Sequence, residues 1–448
     1  MIPTMSGADV RYAWNHEVAL AYQVVGQGPI DLLYMQSSIS NVEVNWEHPM
    51  LAGFLRELAG IGRLIVADRR GLGCSERFTP GDTPPIETLI DDVLAVLDDA
   101  GSERPVLIAT GECSLFACPL AATHPERLAA LILFNGTPAW RRSAEASWGR
   151  TEAQMEESFR WCQATWGSGA WVQRSNPSVR GEQELRWFGR YERLAQSPGA
   201  LYTEARRFAE TDVRAVRSSI QVPTLVLHRR DNSEEKPDGG RYLAAHIPGA
   251  RFVELDGHDH FPWIGDRVVV IDQIQDFLRT VQAEEAYLDR VLATVLFTDI
   301  VGSTEKAVEL GDRGWQELVA RHRSAVRALL SRYRGKEVEA PGDGFFATFD
   351  GPARAVRCAQ AIADGARLLG LQVRAGVHTG EVEARGDAVS GLAVNIGARI
   401  GAKAGASEVL VSQTVKDLVA GSGLAFEDRG LHELKGVPDE WRLFAVAG

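Results

Sequence analysis

The sequence predicts an α/β protein built as two blocks, and three observations carry that prediction. Short apolar, β-branched runs alternate with helical patterns through the first part of the chain. One helical, tryptophan-rich stretch, about 140–218, interrupts the alternation. From Val291 a second and shorter α/β pattern starts afresh. Strands alternating with helices imply a mainly parallel sheet covered on both faces.

The overall figures agree. At roughly 150 residues per domain, 448 residues make two or three domains. With 45% of residues hydrophobic, the chain can build sizeable cores and is not disordered throughout. A net charge of −12 argues against nucleic acid as a partner held by a basic surface. The five cysteines are scattered, with no CxxC pair, so neither a disulfide framework nor a thiolate zinc site is expected. Met1 to Val10 has no basic stretch followed by an apolar one, and no apolar run approaches the ~18 residues of a membrane span. A cytoplasmic protein with no transmembrane segment is the expectation.

In chain order, the first block has strand patterns at 30–34, 64–67, 106–108, 131–134, 224–227 and 251–254, with crossover helices at 85–99 and 116–123. The stretch 140–218 carries six of the eleven tryptophans and reads as a helical cap inserted over the sheet. Its tryptophans either fill the cap core or line a pocket for a small apolar ligand. Residues 266–283 read as a closing amphipathic helix, and 284–290 as a short polar connection. The domains are thus 1–283 and 291–448. The second block has a strand at 292–297, a long helix at 303–333, and paired strands around Val338 and 345–349. A helix at 353–369 and a strand at 373–378 complete a β-α-β-β-α-β core.

The chemistry-bearing residues of the second block begin with Asp299 at a strand end. The small-residue loop Gly302, Ser303 and Thr304 follows and leads into a helix, where backbone N–H groups and the helix dipole favour phosphate oxygens. A second aspartate, Asp343, sits in a Gly-Asp-Gly turn between two strands. Two carboxylates on neighbouring strand ends can hold two hard divalent cations, as triphosphate chemistry requires. Asn395 and Arg399 lie at i, i+4 on one helix face, Arg374 on a strand, and Lys435 near the C-terminus. Together they offer an amide, a donor fork and further cations suited to a polyphosphate.

On these residues the stretch 291–446 resembles the bacterial type of class III nucleotide cyclase catalytic domain, which is ferredoxin-like. The resemblance implies a head-to-tail homodimer with active sites at the subunit interface, and two divalent cations (Mg²⁺ or Mn²⁺). Asp299, Asp343 and the backbone of Ile300 would form the metal site. Gly302, Ser303, Thr304, Arg374 and Lys435 would hold the phosphates. Asn395 and Arg399 would reach over from the other subunit to orient the ribose and stabilise the transition state. The implied reaction converts ATP to cyclic AMP and pyrophosphate. Two positions depart from the adenylyl pattern. Glu339 stands where the family's purine-selecting lysine lies, and glutamate there can accept from guanine. Ala388 stands at the partner position, with Asp387 beside it. GTP is therefore the alternative substrate.

In the first block, Asp68-Arg69-Arg70-Gly71 follows a strand, Pro125-Glu126-Arg127 precedes one, Asp231 follows another, and His260 lies in a Gly-His-Asp-His-Phe-Pro-Trp run. Their order across about 18–277 resembles the α/β-hydrolase fold and would make Asp231 the triad acid and His260 the base. The nucleophile belongs on a G-x-S-x-G elbow after a strand. Counting back from Pro125 puts Gly111 at the serine position, and glycine has nothing to attack with. A rival frame makes Cys113 the nucleophile and puts Leu115 where a small residue is needed. Gln36-Ser37-Ser38 occupies the oxyanion loop without the common His-Gly pair. The implied role is a non-hydrolytic regulatory or ligand-sensing module. Asp231 and His260 would remain as a hydrogen-bonded pair or as part of a polar pocket, and His258 as a loop residue. The alternative from another class is an active esterase carrying a cyclase-like dimerisation module.

Overall fold

The computed structural model describes residues 8–78, 84–288, 290–340, 342–385 and 388–447, so most of the N-terminal stretch read above, and Asp387, lie outside the described residues. The chain divides into two units, 1–281 and 282–448.

In the first unit the strands are β1 (Arg11–Asn15), β2 (Val18–Val25), β3 (Asp31–Met35), β4 (Arg63–Ala67), β5 (Val106–Thr110), β6 (Ala130–Phe134), β7 (Thr224–Arg229) and β8 (Arg251–Leu255). They form one sheet in the order β1-β2-β4-β3-β5-β6-β7-β8. From β4 to β8 neighbouring strands are parallel, and β1 and β2 add an antiparallel edge. Every residue of β5, β6 and β7 is buried. A parallel strand covered on both faces needs a continuous apolar run rather than alternation, which is why these strands were legible. Successive side chains feed opposite cores: Val106, Ile108, Ile132 and Phe134 join one, and Leu107, Ala109, Leu131 and Leu133 the other.

Between β6 and β7 the cap consists of helices Glu152–Thr165, Ala170–Ser175, Glu182–Ala195 and Pro198–Glu210. The first starts with a capping box, Thr151 and Gln154 satisfying each other's backbone N–H groups. Trp166 and Trp171 belong to a core cluster. The closing helix runs Arg267–Leu288, so the stretch expected as a polar connection is helix almost to its end. Glutamate and alanine are strong helix formers and no Gly or Pro intervenes, so polarity alone did not end the helix.

The second unit has β9 (Arg290–Ile300), β10 (Lys336–Glu339), β11 (Phe345–Phe349), β12 (Val373–Arg385), β13 (Ala388–Ser390), β14 (Val409–Ser412), β15 (Phe426–Glu433) and β16 (Glu440–Val446). The sheet order is β10-β11-β9-β12-β14-β16-β15, with β13 on β12. The expected β-α-β-β-α-β core is present, its helices running Ser303–Tyr333 and Pro352–Leu368. Non-helical geometry at Gly311 interrupts the first of these. β12 is longer than read, because it pairs with β9 from Val373 opposite Ile300 to Glu383 opposite Arg290. The helix Leu392–Lys403 lies against this pair of strands, and the fit depends on glycine. A Cβ on Gly376 would come within 2.1 Å of the backbone nitrogen of Gly401. Any side chain there would push helix and sheet apart.

Candidate functional site

In the second unit, β11 pairs with β9 so that Phe345 faces Thr298. That register brings Asp343, just before β11, and Asp299, near the end of β9, to adjoining strand ends. Ile300 is buried, and Gly302 precedes the helix with a φ of 68°. Ser303, Thr304 and Asp343 line one open groove, together with Trp315, Arg323 and Arg327. Asp343 Oδ2 is buried and makes no hydrogen bond among the described residues. Arg374 is opposite Asp299 on β12 and donates to Asp299 Oδ2 from Nε at 2.9 Å and again from Nη2. In this state Arg374, expected on the phosphates, neutralises an expected metal ligand.

The remaining expected residues stand apart from the groove. Asn395 and Arg399 are exposed on the helix Leu392–Lys403 and do not line it. Lys435 is exposed in the turn between β15 and β16. Glu339 is exposed and faces Phe346 after a bulge in β10. Ala388 is exposed at the start of β13. Sequence reasoning missed Arg323, which donates to the carbonyl of Gly342 in the turn that carries Asp343. The i, i+4 spacing of Arg323 and Arg327 was the available signal.

The donor set fits hard divalent cations in part. Asp343 offers an unsatisfied buried oxygen, which is what a cation would complete. Asp299 is held by Arg374 and would have to be released by it to take a cation.

In the first unit, Gly111 follows β5 directly, with a φ of 59°. A Cβ built on it would lie 2.8 Å from His260 Nε2 and 3.5 Å from Ser37 Oγ. Gly111 therefore holds the elbow, facing the histidine. Cys113 comes two residues later in right-handed helical geometry. Its Sγ donates to the Gln36 carbonyl at 3.0 Å, and complete burial pushes the thiol pKa far above its ordinary value. It makes no hydrogen bond to His260.

The expected Asp231–His260 pair does not form. Asp231 is exposed, and its backbone N–H donates to the Gly257 carbonyl. The loop after β7 turns Glu234 and Glu235 inward instead, so Asp231 points away. His260 keeps one close side-chain contact through Nε2, Ser37 Oγ at 3.3 Å, while its buried Nδ1 has no partner. Burial lowers its pKa to about 4. His258 is a loop residue beside Ser178.

A carboxylate follows the elbow. Glu112 accepts from Ser37 Oγ at 2.7 Å, Ser38 Oγ at 2.9 Å and Arg69 Nη2 at 3.2 Å. Arg69 also donates to Glu204 at 2.7 Å. Both hydroxyls of the oxyanion loop are thus spent on Glu112. Burial raises the Glu112 pKa and the Arg69 guanidinium opposes the rise. Sequence reasoning missed Glu112 because one acidic residue after an elbow carries no signal until its partners from two other segments are in place.

These two arrangements define a hydrolase-type scaffold joined to a cyclase-type domain. A profile of the alpha/beta hydrolase fold matches residues 41–266, and one of the adenylate and guanylate cyclase catalytic domain matches 287–448. The chain belongs to the alpha/beta hydrolase fold family and carries a class III cyclase catalytic domain at its C-terminal end. A protein of Rhizobium meliloti provisionally named adenylate cyclase 3 is 30% identical over 158 residues, 33% of this chain and 27% of that one. The chain thus spans about a quarter of that relative's length. A strigolactone esterase of Arabidopsis thaliana is 23% identical over 270 residues, 58% of this chain and 95% of that one. An esterase structure from Exiguobacterium antarcticum shares the fold of the first unit, with a TM-score of 0.51 and 17% identity over 61% of this chain and 99% of that one. No helix among the described residues is long and apolar enough to cross a membrane.

Proposed function

We propose that the chain is an adenylyl cyclase that works as a head-to-tail homodimer, with a first unit that binds a ligand but does not hydrolyse esters. The observation that carries the cyclase reading is the placement of Asp299 and Asp343 at adjoining strand ends. Asp343, whose buried Oδ2 has no partner among the described residues, lines the groove together with Ser303 and Thr304 at the start of the helix Ser303–Tyr333. Asp299 and Asp343, with the Ile300 carbonyl, would hold the two cations. Bound there, Mg²⁺ or Mn²⁺ would neutralise the phosphates and lower the pKa of the ribose 3′-hydroxyl.

The chain's own residues do the rest. Backbone N–H groups at Gly302, Ser303 and Thr304 receive phosphate oxygens at the helix N-terminus. Arg374 leaves Asp299 to take up phosphate charge, and Lys435 adds a second cation. Asn395 and Arg399, exposed and outside their own chain's groove, orient the ribose and meet the developing charge in the groove of a second copy.

Purified protein incubated with ATP and a divalent cation should release cyclic AMP, measured by chromatography. No cyclic nucleotide from ATP or GTP would overturn the reading. A second reading rests on Glu339, exposed at the purine-selecting position: the enzyme then prefers GTP, and competing the two nucleotides in one tube decides.

A further inference from the structure

We propose that the cavity beneath the cap of the first unit binds a small monocarboxylate with a short apolar tail. The inference deepens the ligand-binding reading of that unit and rests on it, independently of the cyclase reading. Arg150 precedes the first cap helix and Arg174 lies in the second, and both reach the cavity. Glu234 stands between them, accepting from Arg150 Nη2 at 3.2 Å and from Arg174 Nε at 3.2 Å. One carboxylate thus serves two guanidiniums.

Glu235 does not restore the balance. Its carboxyl is buried and accepts the Trp140 indole N–H at 2.5 Å. Burial raises its pKa to about 8, so it is mostly neutral at pH 7. His260 is neutral as well. The neighbouring cluster of Arg69 and Arg207 with Glu112 and Glu204 contains as many carboxylates as guanidiniums. Two guanidiniums thus share one ionised carboxylate; both are partly exposed, so solvent screens the excess positive charge without removing it, and an anion placed between them gains charge-assisted hydrogen bonds.

Size and wall chemistry narrow the class. The cavity has room for roughly four to six waters, which favours a small ligand over a long acyl chain. Phe159, Trp171 and Leu201 supply an apolar wall. A carboxylate can accept two parallel N–H bonds from a guanidinium, which a single amide oxygen cannot match. A monoanion cancels the excess charge, and a dianion would exceed it.

The test is calorimetric titration of the full-length protein with butyrate and benzoate, against butyramide, benzamide and methyl benzoate. At least one acid should bind saturably and at least about tenfold tighter than its amide. The substitution Arg174→Met should weaken acid binding by about tenfold or more, with Arg174→Lys partly retaining it. Should Arg174→Met fail to fold, the acid-to-amide ratio of the unaltered protein decides alone. Equal binding of acid and amide, or no saturable binding of either acid, overturns the proposal. Release of methanol from methyl benzoate would instead overturn the non-hydrolytic reading on which it rests.

Discussion

The two candidate sites differ in how far each satisfies itself. In the first unit the carboxylate beside the elbow is engaged, Glu112 with Ser37, Ser38 and Arg69, and Arg69 with Glu204, while His260 Nδ1 and Arg69 Nε have no partner among the described residues. In the second unit the groove is open, Asp343 Oδ2 has no partner, and Asn395 and Arg399 stand exposed outside it. An oxyanion loop whose two hydroxyls are held by Glu112 has little left to offer a reacting bond. On the proposed function, the groove of the second unit would be completed by cation, nucleotide and a second copy.

The largest effect that can break this contrast is at the metal pair. Asp299→Ala and Asp343→Ala should each lower cyclic nucleotide formation by about two orders of magnitude or more, since each deletes a charge that acts directly on the phosphates' counter-ions. Activity within a fewfold of the unaltered protein would remove the groove from the chemistry. Next comes completion by a second copy. Asp343→Ala and Asn395→Ala should each be inactive alone, yet mixing them equally should restore about a quarter of the normal rate, because half the dimers then own one intact site of two. A mixture as inactive as its parts would show that one chain holds the whole site.

A smaller shift is expected at the base. Glu339→Lys should move the product ratio severalfold toward cyclic AMP if that side chain meets the purine, since lysine can only donate where glutamate only accepts. An unchanged ratio would make Glu339 a solvated strand residue. The first unit offers a pH test. Glu235 binds its proton more tightly folded, at about 8, than unfolded, near 4.5, so its stabilising contribution is full below about 4.5 and is lost as pH rises toward 8. Glu235→Gln should flatten the fall in melting temperature over that window, and an unaltered profile would mean the carboxyl is already ionised. His260 and His228, both lowered to about 4 from 6.5 by burial, work the other way, costing stability as pH falls from 6.5 toward 4. The smallest effect expected is on Gly111→Ser, which should leave ester turnover at background in a nitrophenyl ester assay. The new hydroxyl would face a histidine with no acid behind it and an oxyanion loop committed to Glu112. Clear turnover would show that the nucleophile alone had been missing.

The legible parts of the sequence were those set by local pattern. Buried parallel strands declared themselves as continuous apolar runs, and the closing helix Arg267–Leu288 by its amphipathic period. The edge hairpin of β1 and β2 escaped notice. Its residues face both solvent and core, and Tyr12 and Trp14 are exposed. The end of β12 also escaped, since Gly380 reads as a stop and only pairing with β9 carries the strand through. Among the candidate residues, those in short motifs lie in the places their motifs suggest: Asp299 and Asp343 at adjoining strand ends, and Gly111 directly after β5. Those defined by partners far along the chain were not legible. Asp231 was assigned from its place after a strand, yet the loop turns it outward. Arg150, Arg174 and Glu234 belong together only once the cap has folded over the sheet.

The bond between Arg374 and Asp299 has a consequence of its own. The two side chains are a third and two-fifths exposed, so by the usual standard for such pairs their separation costs only about 0–1 kcal/mol. Whatever draws the guanidinium off the carboxylate uncovers an anion, and whatever claims the carboxylate frees a cation. If, as proposed, polyphosphate and divalent ion bind here, each would lower the other's cost of entry, a reciprocal linkage in which half-saturation by either would depend on the concentration of the other. In the Arg374–Asp299 pair the chain acts as its own counter-ion.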